Sequence, residues 1–374
     1  MAFVHLRTHT EYSVVDGTLR IDEVVAAAAA DQQVALAITD LGNLFGAIKF
    51  YGATRSKGIK PLIGADVWLE PERSDRAPTR LLLLVQNRTG YLNLCELLTR
   101  CWLGPASQAQ PWTTWAALAE LNGGLIALSG AELGVVGQAL VAGDTVRARG
   151  LAQRFAELFP NRFYLELQRA GLPGQEAQVR AAVRLAAALQ LPVVATHPVQ
   201  FLTNDDFEAH EARVCVAEGE TLTNPRRIKR FNAQQYFKSQ SEMEALFADV
   251  PTALVNSVEI AKRCSLSLVL GKPQLPEFPT PVVNGEQMAP EAFFRHSSHE
   301  GLNQRLIQLY PDSAKRESER PNYVKRLEFE IATILKMGFP GYFLIVADFI
   351  NWAKANGCPV GPGRGSGADR KSVV

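Results

Sequence analysis

Five side chains suited to metal-binding or acid–base chemistry lie within the first 66 residues, at or just past the ends of predicted strands. They are His5, His9, Asp16, Asp40 and Asp66. Imidazoles and carboxylates gathered at a barrel mouth are the ligands of Zn²⁺ or Mn²⁺ phosphoesterases, in which the metal lowers the pKa of a bound water. The alternative is structural, because Asp16 precedes a glycine and Asp40 lies in Asp-Leu-Gly-Asn. Both settings are typical of turns and helix caps.

A second candidate site lies near the other end of the sequence, where glycine occupies every second position from Gly361 to Gly367. Glycine lets the backbone approach a ligand closely, while Arg364 supplies a charge and Ser366 a hydroxyl. These features together are suited to cradling a phosphate. A flexible linker is the alternative interpretation, since glycine-rich segments also serve that purpose.

The elements that would position the first group alternate in type. Up to about residue 200, short apolar runs of strand character are separated by longer segments with apolar residues every three or four positions. This alternation is typical of a parallel sheet or barrel, in which functional side chains gather where strands end. The predicted strands are 3–6, 35–39, 61–69, 81–86, 125–128, 163–167 and 192–196. The predicted helices are 21–30, 44–56, 91–102, 145–159 and 175–189.

The strand signals fade after residue 200. A proline-rich stretch at 271–281 is predicted to be an extended connector, because proline removes amide donors and disfavours helix in the residue before it. We therefore predict a first domain over 1–272 and a second over 273–368. The helices predicted after residue 200 are 204–217, 241–247, 252–264, 290–309, 322–336 and 341–355.

The composition limits the class of protein. Of 374 residues, 47% are hydrophobic and 21% charged, which excludes fibrous and disordered classes. The longest apolar runs, 24–30 and 81–85, are far shorter than the ~18 residues of a membrane span. The N-terminus lacks the pattern of a secretory signal, so we expect a cytoplasmic protein without a membrane partner. The net charge of +1 offers no general attraction to nucleic acid, and five cysteines without a C-x-x-C pair indicate neither disulfides nor a zinc knuckle.

Several segments of the first domain carry a recognisable pattern: 3–17, 36–51 and 59–66, followed by 191–196, 210–213 and 258–264. They resemble the PHP (polymerase and histidinol phosphatase) domain at the start of bacterial DNA polymerase III alpha subunits. The resemblance continues to Ala368 and implies an α/β fold, with a PHP-type distorted β/α barrel followed by a mostly helical, truncated start of the polymerase palm. It implies the activity of a DNA-directed DNA polymerase, a nucleotidyltransferase that performs template-directed synthesis from dNTPs in DNA replication.

The PHP segments depart from the family's metal-binding pattern. The family's first His-x-His reads His-Leu-Arg at 5–7, and a guanidinium cannot bind a metal ion. At three further ligand positions the family pattern has a different residue type from this chain, which carries Leu41, Asp66 and Gln200 there. A catalytic metal needs at least three protein ligands in fixed geometry. We therefore expect the five ligand-type residues named above to form a vestigial cluster that binds no metal.

The resemblance then implies that proofreading belongs to a separate exonuclease subunit, which docks on the PHP domain. The surviving polar residues, His5, His9, Asp16 and Asp40, are expected to exchange hydrogen bonds or ion pairs with Arg7 in a polar pocket. Two alternatives stay open for this chain. One is a non-catalytic scaffold that only docks the exonuclease subunit, and the other is an active metal-dependent phosphoesterase or 3′–5′ exonuclease.

Residues 337–348, just before the glycine-rich segment, resemble the beginning of the family's palm domain. The resemblance implies that Gly363, Arg364, Gly365 and Ser366 contact the triphosphate of the incoming nucleotide. It implies Mg²⁺ in the full-length polymerase, a DNA primer-template and dNTPs as partners, and a sliding clamp and clamp loader bound through segments absent here. The implied catalytic aspartates lie beyond residue 374, so we expect the chain alone to be inactive. Residues 369–374 depart from the family and are expected to be a non-native tail.

Overall fold

Two compact units make up the chain, one reaching to Leu268 and the other beginning at Val269. The computed structural model describes residues 3–72, 77–104, 111–272 and 275–361. The division lies close to the proline-rich stretch in which we placed the domain boundary. The assignment of 1–272 and 273–368 as functional domains stays a prediction.

A curled sheet forms the centre of the first unit. Strand β3 runs antiparallel to both of its neighbours, β2 and β5, whereas β1 with β2 and the series β5, β6, β7 pair in parallel. The predicted α/β class is confirmed, but the sheet is mixed rather than wholly parallel. Its order is β1-β2-β3-β5-β6-β7, with β4 paired to β2. The strands are β1 (Ala35–Ile38), β2 (Lys60–Leu69), β3 (Thr79–Val85), β4 (Trp112–Thr113), β5 (Leu125–Leu128), β6 (Phe163–Gln168) and β7 (Val193–Thr196).

The extended segment 3–10 joins the two edges of this sheet. On one side the amide of Ala37 in β1 donates to the carbonyl of His5 at 2.9 Å. On the other side the amide of His9 donates to the carbonyl of Val199, just after β7, at 3.0 Å. The first predicted strand is therefore extended, as expected, but its pairing is too interrupted to form a regular ladder. This closing segment completes the distorted barrel.

Helices surround the sheet and each buries one face. In α1, Ile21, Val24 and Ala28 are buried because their three- and four-residue spacing places them on one stripe. Two acidic residues in its first turn stabilise the helix, because their negative charge lies at the positive end of the helix dipole. The helices of this unit are α1 (Ile21–Ala30), α2 (Ala47–Ser56), α3 (Arg88–Trp102), α4 (Trp115–Leu121), α5 (Val135–Val141), α6 (Thr145–Leu158), α7 (Gln175–Leu189), α8 (Phe207–Glu218), α9 (Gln240–Leu246) and α10 (Pro251–Arg263).

The central strands are buried along their whole length. Every residue of β3, β5 and β6 is buried, which explains the nearly continuous apolar runs in their sequences. Two of these strands also carry buried polar residues, Arg80 in β3 and Glu166 with Gln168 in β6. A buried carboxylate is stable only when other groups satisfy its charge and its lone pairs. Glu166 therefore marks the part of the barrel where polar partners must converge.

The second unit is helical apart from a short hairpin. Phe294, Ile331 and Leu344 pack together in its interior. The helix predicted over 322–336 begins already at Ser313, because the carboxylate of Asp312 caps it by accepting from the amide of Lys315 at 2.8 Å. The elements are β8 (Val282–Val283), β9 (Glu286–Gln287), α11 (Pro290–Leu309), α12 (Ser313–Lys336) and α13 (Pro340–Ala355).

Among the described residues, no single helix has both the length and the apolar character needed to cross a membrane. Helices α12 and α13 meet the length and hydropathy requirements only when they are taken together, and the pair is bent by 116°.

Candidate functional site

The polar centre of the barrel is organised around the guanidinium of Arg7, which projects from the closing segment and is 4% exposed. Its Nε donates to Glu166 Oε1 at 2.7 Å and its Nη2 to Glu166 Oε2 at 3.0 Å, while Nη1 donates to Asp66. Burial disfavours the charged guanidinium, but the two carboxylates outweigh that cost and raise the pKa of Arg7 above its usual value. The expected partners of Arg7 were His5, His9, Asp16 and Asp40, but its hydrogen bonds go to Asp66 and Glu166 instead.

Glu166 is the point at which four parts of the barrel are joined. Besides Arg7, its carboxylate accepts from the Thr196 hydroxyl at 2.5 Å, from Gln168 Nε2 at 2.9 Å and from the amide of Gly130 at 3.0 Å. Gly130 has a φ of 80°, and a Cβ there would lie 2.4 Å from the carbonyl oxygen of Arg80. Only glycine therefore lets this amide reach the carboxylate.

Asp66 links Arg7 to a second buried guanidinium. Arg80 Nη2 donates to Asp66 Oδ2 at 2.8 Å, and the Arg80 guanidinium stacks over the ring of Trp68, 4.5 Å from its centroid. Because β3 runs antiparallel, its first residues lie at the same edge as the carboxyl ends of the parallel strands. Burial alone would raise the pKa of Asp66, but Arg7 and Arg80 hold it well below its usual range.

His9 lies between two carboxylates. Its Nδ1 is 2.9 Å from Asp16 Oδ1 and its Nε2 is 3.3 Å from Asp66 Oδ2. Burial would lower the pKa of His9, but the charges of Asp16 and Asp66 outweigh burial and raise it to about 9. The ring is therefore protonated at neutral pH, and both of its nitrogens act as donors.

His5 does not belong to this cluster, which corrects the expectation that all five ligand-type residues lie together. Its Nε2 pairs with the carbonyl of Lys238 at 2.7 Å, and its ring packs against Phe3 and Phe237. His5 lies two positions before Arg7 in the extended segment, so their Cα atoms are roughly 7 Å apart. At that distance the side chain of His5 meets different neighbours. Burial lowers the pKa of His5 to about 4, so its ring is neutral.

Asp40 lies beside the cluster but turns its carboxylate to the chain after His9. The carboxylate accepts from the amide of Thr10 at 2.6 Å and from the hydroxyl of Ser13 at 2.8 Å. Burial raises the pKa of Asp40, against the opposing effect of these hydrogen bonds. This is the turn-stabilising role that the local sequence offered as the alternative to metal binding.

The residues at this site do not fit a metal ion. Asp66 Oδ2 already accepts from two guanidinium groups, and Arg7 fills the space between Asp66 and Glu166. Both ring nitrogens of His9 are already directed at carboxylate oxygens, those of Asp16 and Asp66. Over the ranges that the structure describes, no group of three or more His, Cys, Asp or Glu residues is arranged to hold a metal.

Above the ion pairs lies a cavity of about 1170 Å³. Its floor includes Arg7, His9, Asp66 and Arg80, and apolar side chains form most of its wall. The second predicted site, Gly363 to Ser366, lies outside the described residues.

Sequence reasoning missed two members of the cluster, Arg80 and Glu166. Each is a charged residue next to or within an apolar run, in Thr-Arg-Leu-Leu-Leu-Leu and Tyr-Leu-Glu-Leu-Gln. A charge inside a strand that is otherwise apolar is the signal that could have identified them, because buried charges require partners. Glu166 pairs with Arg7, which is 159 residues away, and Arg80 pairs with Asp66 on the neighbouring strand, so spacing alone does not reveal the network.

Comparison with known proteins shows what the two parts of the chain are similar to. The family model described as "PHP domain" matches residues 5–170, and "Bacterial DNA polymerase III alpha NTPase domain" matches residues 292–374. Proteins named DNA polymerase III subunit alpha are similar over 98% of this chain, with 48% identity in Pseudomonas aeruginosa, 49% in Neisseria meningitidis serogroup A and 47% in Escherichia coli K12. Nearly the whole of this chain is therefore similar to the N-terminal part of DNA polymerase III alpha subunits. It spans about a third of the length of these relatives, 31 to 32% of each.

The two matches agree with the predicted fold, in which a PHP-type barrel is followed by a mostly helical region. Among solved structures, an amidohydrolase from Chromobacterium violaceum with bound sulfate and no metal is similar over 57% of this chain and 97% of its own, with 15% identity and a TM-score of 0.41.

Proposed function

We propose that the chain is part of the catalytic alpha subunit of a replicative DNA polymerase, which extends a DNA primer on its template from dNTPs. Similarity to alpha subunits over 98% of the chain supports this assignment. The full-length polymerase would use Mg²⁺ and act in the cytoplasm, with the sliding clamp and clamp loader bound through segments outside this chain. Gly363, Arg364, Gly365 and Ser366 would bind the incoming triphosphate, and the catalytic aspartates would follow after residue 374.

Within that subunit, the PHP unit acts as a scaffold and not as a phosphoesterase. The observation that carries this proposal is the position of Arg7, whose guanidinium occupies the space between Asp66 and Glu166. A phosphoesterase of this type needs a metal-bound water as its nucleophile. The cluster supplies instead a fixed network of ion pairs that joins the closing segment to β2, β3 and β6. The partner held by this scaffold is the separate proofreading exonuclease subunit.

Metal analysis and a nuclease assay test the scaffold proposal. We expect no stoichiometric Zn²⁺ or Mn²⁺ after purification, and no Mn²⁺-dependent release of nucleotides from a 3′-labelled oligonucleotide. The matched control is His9→Gln, which removes a residue that any metal site here would need. Stoichiometric metal together with turnover that disappears in His9→Gln would overturn the proposal, whereas turnover that persists in the variant identifies a contaminating nuclease.

The polymerase proposal is tested on the gene. We expect source DNA amplified across the codon of Ala368 to continue in frame into an apolar helix and an aspartate-rich palm. In that longer protein, Arg364→Ala should raise the KM for dNTPs about tenfold or more, since a charge-assisted phosphate contact is lost. A genuine stop codon after Val374 contradicts this proposal and leaves an independent scaffold.

A further inference from the structure

Three basic side chains gather at the edge of the sheet opposite the ion pairs of Arg7. Lys60 is the first residue of β2, Arg162 immediately precedes β6 and Arg263 is the last residue of α10. Strands β2, β5 and β6 run in one direction, because β3 lies antiparallel between β2 and β5. The amino ends of these strands therefore share one edge. Lys60, Arg162 and Arg263 together form the amino-edge cluster.

Hydrogen bonds to the backbone bring the three cations of the amino-edge cluster together. Lys60 Nζ donates to the carbonyl of Ala261 at 2.8 Å, two residues before Arg263. Arg263 Nη2 in turn donates to the carbonyl of Asn161 at 2.8 Å, the residue before Arg162. All three cations are half-buried, so they are partly shielded from water.

The amino-edge cluster lacks a counter-charge in the described part of the chain. The hydrogen bonds of its two guanidiniums go to carbonyl, amide and hydroxyl oxygens, which are neutral. Burial lowers the pKa of Arg162, and the positive charge of Arg263 lowers it further. Lys262, the neighbour of Arg263 on α10, is by contrast paired with Glu259 at 2.7 Å. An anion from outside the chain would relieve the repulsion within the cluster.

The donors that remain free indicate which anion fits. A guanidinium has five N–H groups, of which Arg162 uses three in hydrogen bonds and Arg263 uses two. Both side chains therefore keep N–H groups for a ligand. Guanidinium groups match the oxygens of a phosphate, which can accept from several donors at once.

We propose that the amino-edge cluster binds a phosphate group, with Arg162 and Arg263 as its main donors and Lys60 as a further cation. The phosphate belongs either to a DNA strand that crosses this edge or to a free phosphate compound, because both present the same oxygens. The cluster lies at the opposite edge from Arg7, so its role is independent of the proposed scaffold function.

Two titrations of the chain test this site. One follows the fluorescence anisotropy of a labelled single-stranded oligonucleotide, and the other measures the heat of binding of inorganic phosphate at constant ionic strength. We expect Arg263→Gln to weaken binding of the probe about fivefold or more, because a charge-assisted contact is lost. For the oligonucleotide, the variant should also reduce the salt dependence of binding, since fewer counterions are released.

The matched control is Lys262→Gln, which removes an adjacent positive charge that is already paired with Glu259. Its binding should stay within about twofold of the unaltered chain. Arg263 also holds the carbonyl of Asn161, so a second variant guards against loss of folding. Lys60→Gln keeps a donor for the backbone and should weaken binding about threefold. Circular dichroism should show that all three variants are folded.

The outcomes distinguish the source of the phosphate. Weakened oligonucleotide binding in Arg263→Gln and Lys60→Gln, with competition by inorganic phosphate, identifies a DNA strand as the ligand. Binding of inorganic phosphate alone, weakened in the same variants, identifies a free phosphate compound. The proposal is wrong if neither probe binds, if both variants bind like the unaltered chain, or if Lys262→Gln loses as much binding as they do. None of these results bears on the scaffold function.

Discussion

The two units differ in what stabilises their interiors. The first combines an extensive apolar core with a buried network in which Arg7, Asp66 and Glu166 satisfy one another. The second has a small apolar cluster around Ile331 and leaves aromatic side chains such as Trp352, 65% exposed, in water. The barrel therefore has an extensive core of its own, whereas the helical unit buries only a small apolar cluster among its described residues. The following predictions test this contrast.

Removing the central guanidinium should have the largest effect. Arg7→Met leaves Glu166 without its ion-pair partner in the barrel and should lower the free energy of unfolding by about 3–5 kcal/mol. Urea unfolding followed by tryptophan fluorescence measures the loss. The control is Arg147→Met, which removes a surface pair with Glu72 and should cost about 1 kcal/mol or less. Equal losses of unfolding free energy in the two variants would show that the buried network stabilises the fold no more than a surface ion pair does.

The charge of His9 should make the barrel pH-dependent. Its pKa is about 9 in the folded chain and 6.5 in the unfolded chain, so the folded state binds the proton more tightly. The resulting stability is fully present below pH 6.5 and is lost as pH rises through 9, by at most about 3 kcal/mol. Urea unfolding at pH 6.5 and at pH 9 measures it. His9→Gln should abolish this difference, and an unchanged pH dependence in that variant would assign it to other groups.

In the helical unit, a buried and an exposed side chain should behave in opposite ways. Leu344→Ala should destabilise α11–α13 by about 2–3 kcal/mol, because it leaves a cavity in the small core. Trp352→Ser should change stability by less than about 0.5 kcal/mol. Hydrogen exchange of the peptides from these helices, followed by mass spectrometry, distinguishes the two. Strong destabilisation by Trp352→Ser would mean that its ring is already covered.

The smallest effect concerns a helix start in the barrel unit. Asn87 caps α3 by accepting from the amide of Gly90 at 3.1 Å. Asn87→Ala should cost about 1 kcal/mol of unfolding free energy, and Asn87→Asp should retain most of the cap. Thermal unfolding of both variants measures the difference, and equal losses would show that the cap contributes little.

Local patterns predicted much of this fold. Helices over 21–30, 175–189 and 290–309 have the predicted bounds, because amphipathic spacing and start signals are properties of neighbouring residues. The direction of β3 was not predictable in the same way. A wholly buried strand is apolar on both faces, so its sequence carries no sign of parallel or antiparallel pairing.

The site was predictable only in part, for a related reason. His9, Asp16 and Asp66 were found by their residue types and do meet, whereas His5 has the same type but different neighbours. Glu166 escaped notice because its importance comes from a guanidinium 159 residues away in sequence. Chemical type is a local property, but the partners of a buried charge are set by the topology of the whole barrel.

The closing segment has a consequence for biosynthesis. His5 contacts Lys238, which follows it by 233 residues, and the amide of Val4 reaches the Ser257 hydroxyl at 3.1 Å. The closing segment leaves the ribosome well before these partners and must therefore wait until nearly the whole barrel has been translated. At about 5–20 residues per second, this wait lasts on the order of ten seconds or more. During that interval the apolar residues around His5 are candidates for chaperone binding, and the barrel closes late and cooperatively.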